Sequence, residues 1–234
     1  MAWGMFLAIP CPRKIWSESA RQKMLVCMPL VGLLAGGVWA GAWLLLRGAP
    51  GPVRAAVCAA APWLVTGFMH LDGYMDVCDA VLSRRDLATR QRILKDSHCG
   101  AFAVICMVLL AMGQWSLFLA AEDVSWLALL LIPAATRACA GLAVLGLRPM
   151  GTSQYAAMGP ARGGYGAALW VLLALSVGLP LWLDGSFGPL AAAVGYGLAV
   201  WYGFRNLDGM SGDISGFALT IGELCGCGAA ILWR

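Results

Sequence analysis

The chain has 234 residues, 61% of them hydrophobic and 12% charged, with a mean hydropathy of +0.77 and a formal net charge of +4. A soluble domain carries about 25% charged residues, so the composition excludes an ordinary soluble enzyme and points to a polytopic membrane protein. So small a net charge argues for no nucleic-acid partner, and the basic residues read better as topology signals.

Residues 1–24 are mixed: apolar to Ile9, then C-P-R-K and W-S-E-S-A-R-Q-K. They read as an interfacial amphipathic segment with Trp3 and Trp16 at headgroup level. They lack the order of basic start, apolar core and small-residue cleavage site that marks a signal peptide. Met24–Leu46 is long and apolar enough to cross a bilayer. Pro50 and Pro52 break the chain, and Val53–Met69 reads as a second, shorter span that runs straight into a polar island. Ser83–Ser97 reads as a water-exposed basic helix with Leu87, Ile93 and Leu94 resting on the interface.

Ala101–Ala121 is the third span, and Glu122 and Asp123 make a polar turn. Val124–Leu147 is the fourth, interrupted by Pro133 and Arg137. Arg148–Gly164 is a loop punctuated by glycine and proline, with Thr152, Ser153, Gln154 and Tyr155. Tyr165–Leu183 and Phe187–Phe204 are the fifth and sixth spans, and Arg205–Asp213 is a polar loop. Ile214–Trp233 is the seventh, rich in small residues that favour close helix contact. The fold class is therefore all-α: a polytopic integral membrane helical bundle of about six to seven transmembrane helices, forming one catalytic domain over 1–234. The nine cysteines form no C-x-x-C pair, and Cys225 and Cys227 are too isolated to argue a zinc site or a disulfide framework.

With the N-terminus inside, inner segments hold Arg13, Lys14, Arg21, Lys23, Arg84, Arg85, Arg90, Arg92, Lys95, Arg148, Arg162 and Arg205. Outer segments hold only Arg47, Arg54 and Arg234. This bias predicts a cytoplasmic membrane protein whose polar motifs all face the cytoplasm. Arg137 and Glu223 are the charges deepest in predicted spans. Their similar depth predicts that they pair across two helices, the alternative being that Glu223 reaches a catalytic cavity.

The polar island runs from His70 to Gly100 and holds five of the twelve acidic residues. Asp72, Asp76 and Asp79 are spaced i, i+4, i+7, which puts three carboxylates on one helix face. Neighbours roughly 6 Å apart repel by roughly 3 kcal/mol at an effective dielectric of about 20. Something positive must offset this. A magnesium or manganese ion held by these three residues fits, with substrate phosphates completing its shell; a solvated face neutralised by Arg84, Arg85 or Lys95 is the bland alternative. Gly73 admits a ligand's phosphate to the backbone, and His70 is either a substrate contact or base, or a structural histidine.

Lys95 suits phosphate as a point charge, while Asp96 or Ser97 suits capping of the third span or substrate binding. Ser211 and Gly212 precede the last span, where free amides attract anions. Asp213 beside them fits a metal, a hydroxyl or a helix cap. Arg148 is either a topology charge or a bidentate phosphate clamp. From the residues alone, the site is that of a metal-dependent phosphoryl transferase acting on a diphosphate. The same spacing suits a CDP-alcohol phosphotransferase. A cation transporter is a further reading, disfavoured because the carboxylates cluster at the cytoplasmic ends of the spans.

Three blocks, H-L-D-G-Y-M-D-V-C-D (70–79), I-L-K-D-S-H-C-G-A-F (93–102) and G-M-S-G-D-I-S-G (209–216) with Glu223 after it, resemble the cobalamin synthase family, the adenosylcobinamide-GDP ribazoletransferases. Two positions depart from the family pattern: His98 stands where arginine is usual, and Asp208 where glycine is usual. The resemblance implies adenosylcobinamide-GDP and α-ribazole, or its phosphate, as substrates, with GMP leaving. It implies Asp72, Asp76 and Asp79 as metal ligands and Asp79 or Asp213 as general base, with Lys95 in the catalytic set. His70, Gly73, Asp96, Ser97, Arg148, Ser211, Gly212 and Glu223 are expected around the substrates. Beyond the lipid bilayer, a second copy of the chain or other enzymes of nucleotide-loop assembly are the partners to expect.

Overall fold

The computed structural model describes residues 1–11, 17, 20–151, 153, 155 and 164–233. The expectations for Arg13, Lys14, Trp16, Thr152, Gln154, Arg162 and Arg234 lie outside the described residues. Among the described residues ten helices follow one another: α1 (Ala2–Phe6), α2 (Arg21–Leu45), α3 (Gly51–Val65), α4 (Met69–Leu82), α5 (Leu87–Ile93), α6 (Ala101–Ala120), α7 (Trp126–Gly146), α8 (Tyr165–Asp184), α9 (Gly188–Leu207) and α10 (Gly212–Leu232). Five of them (α2 from Lys23, α6, α7, α8 and α10) are long and apolar enough to cross a membrane, and α3 with α4 makes a sixth if that bent pair is one span. The sixth expected span is helical as α9 but less apolar than those five, with glycines, tyrosines and Arg205 along it. All nine cysteines are free thiols.

The second expected span is corrected. It does not run unbroken to Met69: α3 ends at Val65 and α4 leaves at 92° to it. Pro62 lies in the last turn of α3, and the Thr66 hydroxyl donates to the Pro62 carbonyl at 2.8 Å. Gly67 and Phe68 then take φ of +60° and +62°, the left-handed backbone that ends a helix. The fifteen residues of α3 reach only about 22 Å. The acidic stretch is thus a separate helix set across the bundle. The basic helix is also shorter than expected, confined to Leu87–Ile93 and capped by Asp86, whose carboxylate accepts from the Thr89 amide at 3.0 Å. Among its described residues the N-terminal segment contributes the short helix α1, and the Trp3 indole donates to the Ile9 carbonyl at 3.0 Å.

Small residues build the seams. A Cβ on Gly32 or Gly36 of α2 would collide with the backbone of Pro133 or Leu130 in α7. On α10, Gly222 and Gly226 meet Ala192 and Gly188 of α9, and Gly216 meets the His70 backbone of α4. Close backbone approach of this kind is how helices associate where no hydrophobic force separates protein from lipid. The outcome is a bundle with α7 and α10 at its centre, 67% and 72% of their spans being buried against 22% for α6 and 17% for α8.

The connecting segments gather at two ends. Arg47, Asp123, Ser125, Asp184 and Trp233 line one cavity, so the turns expected on the outer side share an end. The island, the end of α7 and the start of α10 share the other.

Candidate active site

The turn at Phe68 starts α4 so that its apolar face, with Leu71, Tyr74, Val77 and Val81, is buried. Helical periodicity then leaves Asp72 exposed and Asp76 and Asp79 half-buried on the other face. Gly73 faces α10: a Cβ there would stand 2.8 Å from the Asp213 carbonyl oxygen. Its missing side chain is taken up by the neighbouring helix, and that approach brings a fourth carboxylate to the face. Asp76 feels the charges of Asp72, Asp213 and Asp79 together.

Asp213 does not cap α10. Ser211 does, its hydroxyl accepting from the Ile214 amide at 3.2 Å. The Asp213 carboxylate lies in the first turn, where it accepts from the Ser211 hydroxyl at 3.4 Å and the helix's positive end favours it.

The island folds back on the acidic face. Asp72, Asp76 and Asp79 line a cavity of about 360 Å³ together with Lys95, Asp96 and Ser97. The expectation that Asp96 or Ser97 caps the third span is corrected: the cap position of α6 is Gly100, with no side-chain bond. The Asp79 carboxylate occupies that place, close enough that a Cβ on Gly100 would collide with both of its oxygens. Asp96 serves its own loop. It accepts from the His98 amide at 3.0 Å and faces the His98 ring Nδ1 at 2.6 Å, and these bonds hold its carboxyl below the usual range. The histidine that departs from the family pattern therefore braces the K-D-S turn.

A second cavity, of about 170 Å³, adjoins the first through Asp72 and is lined also by His70, Gly73, Gly212 and Asp213. Arg148, Ser211 and Glu223 line neither cavity.

Arg148 pairs with Asp208, the other departure from the family pattern. Two backbone bonds of 2.9 Å, Met150 N–H to the Met210 carbonyl and Met210 N–H to the Arg148 carbonyl, tie the segment after α7 to the one before α10. Asp208 ends α9 with φ +59°, so it shapes the turn as well as holding the arginine.

Glu223, expected among the substrate contacts, instead receives the Arg137 Nη1 at 2.6 Å, with both side chains almost fully buried. This is the pair anticipated from their equal depth.

The donor set at the acidic face is all carboxylate oxygen, the hard ligands that magnesium and manganese prefer. Among the described residues no group of three or more His, Cys, Asp or Glu side chains is placed to hold a metal ion by itself. The donor type suits magnesium, which keeps waters and takes phosphate oxygens in preference to an all-protein shell.

Sequence comparison follows the same lines. The model of the family described as cobalamin-5-phosphate synthase matches residues 1–231. An adenosylcobinamide-GDP ribazoletransferase of Clostridium perfringens is 32% identical over 237 residues, covering 97% of this chain and 94% of that protein. One from Clostridium botulinum is 33% identical over 248 residues, covering 100% and 96%, and one from Ralstonia pickettii is 36% identical over 248 residues, covering 99% and 92%. No solved structure matches the chain. With the acidic helix, the K-D-S turn and the start of α10 gathered at one end of a single bundle, and the match running through all three, the chain belongs to the cobalamin-5-phosphate synthase family.

Proposed function

We propose that the chain is an adenosylcobinamide-GDP ribazoletransferase, joining adenosylcobinamide-GDP to α-ribazole or α-ribazole phosphate with release of GMP. One juxtaposition carries the reading: three carboxylates of α4 share a cavity with Lys95, so anionic and cationic groups face a single space sized for phosphates. Lys95 binds the diphosphate as a point charge. Asp213, in the adjoining cavity with Asp72, takes the proton of the attacking ribose hydroxyl. That oxygen bonds to the phosphorus carrying the cobinamide, the bond from this phosphorus to the bridging oxygen breaks, and GMP leaves with that oxygen. Positioning and charge neutralisation carry such a reaction. A magnesium or manganese ion held by Asp72, Asp76 and Asp79 would supply further neutralisation of the phosphates.

The basic bias supports an orientation with this end of the bundle at the cytoplasmic face of the cytoplasmic membrane, within reach of nucleotide substrates. Two observations speak against ion transport: the carboxylates gather at one end, and the deep charges Arg137 and Glu223 neutralise each other. The test is purified protein in lipid nanodiscs with both substrates and magnesium, read by product mass. A corrinoid carrying the added ribazole, with GMP in equal amount, is expected. Folded protein that forms neither product overturns the reading.

A further inference from the structure

The smaller cavity has a composition unlike that of its neighbour. Four methionines (Met5, Met24, Met28 and Met69) and Leu25 form much of its wall, and besides carboxylates its polar side chains are Arg21, His70, Tyr155 and Ser215. Of its acidic residues, Asp72 is shared with the larger cavity, while Asp213 lines this one alone. Thioethers are polarisable, adapt their shape and make favourable contacts with aromatic rings. An apolar cavity of about 150 Å³ takes a benzene-sized ring, so about 170 Å³ admits one small aromatic base and excludes a corrin macrocycle. His70 is only 8% exposed, and its Nε2 is buried without a hydrogen-bond partner. A buried polar nitrogen left unpaired is costly, which points to a ligand that supplies the missing partner.

We infer that this cavity is the pocket for the base of the nucleoside acceptor, and that His70 Nε2 donates to the base's one free ring nitrogen. The inference rests on the ribazole-transfer reading. A benzimidazole riboside has a wholly apolar carbocycle and one unsubstituted ring nitrogen, matching a methionine-rich wall beside one buried imidazole nitrogen that lacks a partner. A base seated here hands its ribose toward Asp72 and Asp213, where the cavity meets the diphosphate chamber.

The experiment uses the full chain in nanodiscs and two variants, Met28→Trp, which fills the cavity, and His70→Phe, which keeps a ring but loses the donor. The first arm is the shift in thermal midpoint on adding α-ribazole alone, or GMP alone, with neither the other substrate nor metal present. The second is KM for each substrate. Expected are a shift with α-ribazole but not GMP in the parent, loss of that shift in Met28→Trp, and KM for α-ribazole raised at least tenfold in both variants with KM for adenosylcobinamide-GDP unchanged. An unchanged KM for α-ribazole in Met28→Trp, or a shift with GMP alone, overturns the inference. A parent that binds α-ribazole but forms no cobalamin product overturns the proposed function and leaves the base pocket standing.

Discussion

Removing one partner of the Arg137–Glu223 pair exposes the other to a medium that cannot solvate it. The guanidinium is 1% exposed and the carboxylate 6%, and their contact is 2.6 Å. Arg137 Nη1 also donates to the Pro133 carbonyl at 3.1 Å, a group one turn back in α7. Breaking a buried pair costs about 3–5 kcal/mol, whereas replacing both members with apolar residues of similar volume is often neutral. For a chain of this size each kcal/mol moves the midpoint by about 2–4 °C, so a single substitution should lower it by roughly 6–20 °C. The two singles should differ. An orphaned carboxylate can shed its charge by taking a proton, and a guanidinium cannot, so Glu223→Leu should cost more than Arg137→Met. The double variant should lose less than either. Cys58, Cys78 and Cys227 are buried free thiols, so once the exposed Cys27, Cys99 and Cys225 are blocked a thiol-reactive fluorophore reports unfolding in detergent. Losses that add in the double variant would mean zero coupling and refute the pair.

Asp72→Asn, Asp76→Asn and Asp79→Asn should each reduce turnover to near background while the protein stays folded, and should lose the thermal stabilisation that magnesium gives the parent. Asp86→Asn is the control, since asparagine caps a helix as well as aspartate; a full-rate Asp76→Asn enzyme, or a parent indifferent to chelator, would sink the metal site. Gly100→Ala should displace the Asp79 carboxylate and cut turnover at least tenfold. Gly113→Ala on the same helix, which meets nothing within 4 Å, should not, and equal rates for the two would show that Asp79 needs no fixed place. Single-cysteine labelling, in a background free of other cysteines, should find positions 90 and 155 protected from an impermeant reagent in intact cells and positions 122 and 184 modified. Labelling of position 90 from outside would invert the topology.

Hydropathy located every long helix because each must bury or expose a continuous apolar length, and local sequence determines that. The carboxylate face was equally legible: the i, i+4, i+7 spacing needs only a helix, and α4 supplies one. What lay beyond reach depends on backbone meeting backbone far away in sequence. Gly73 read as room for a phosphate, yet the first claim on that space is Asp213 of α10. Gly100 read as a helix boundary, yet a carboxylate from α4 stands against it. Pro62 and Gly67 carried the signal for the 92° break, hidden because apolar composition runs on through both. Equal depth was enough to pair Arg137 with Glu223, since two opposite charges at one level of a hydrocarbon core have few other partners. No such constraint acts at the interface, where water competes for every charge. Arg148 could have met phosphate, lipid or solvent, and only the φ of +59° that Asp208 adopts at the end of α9 brings its carboxylate there. The two departures from the family pattern are accounted for in this way. His98 and Asp208 each close a turn beside the site, so substitution there alters the positioning of Lys95 or the α10 turn and leaves the four carboxylates in place.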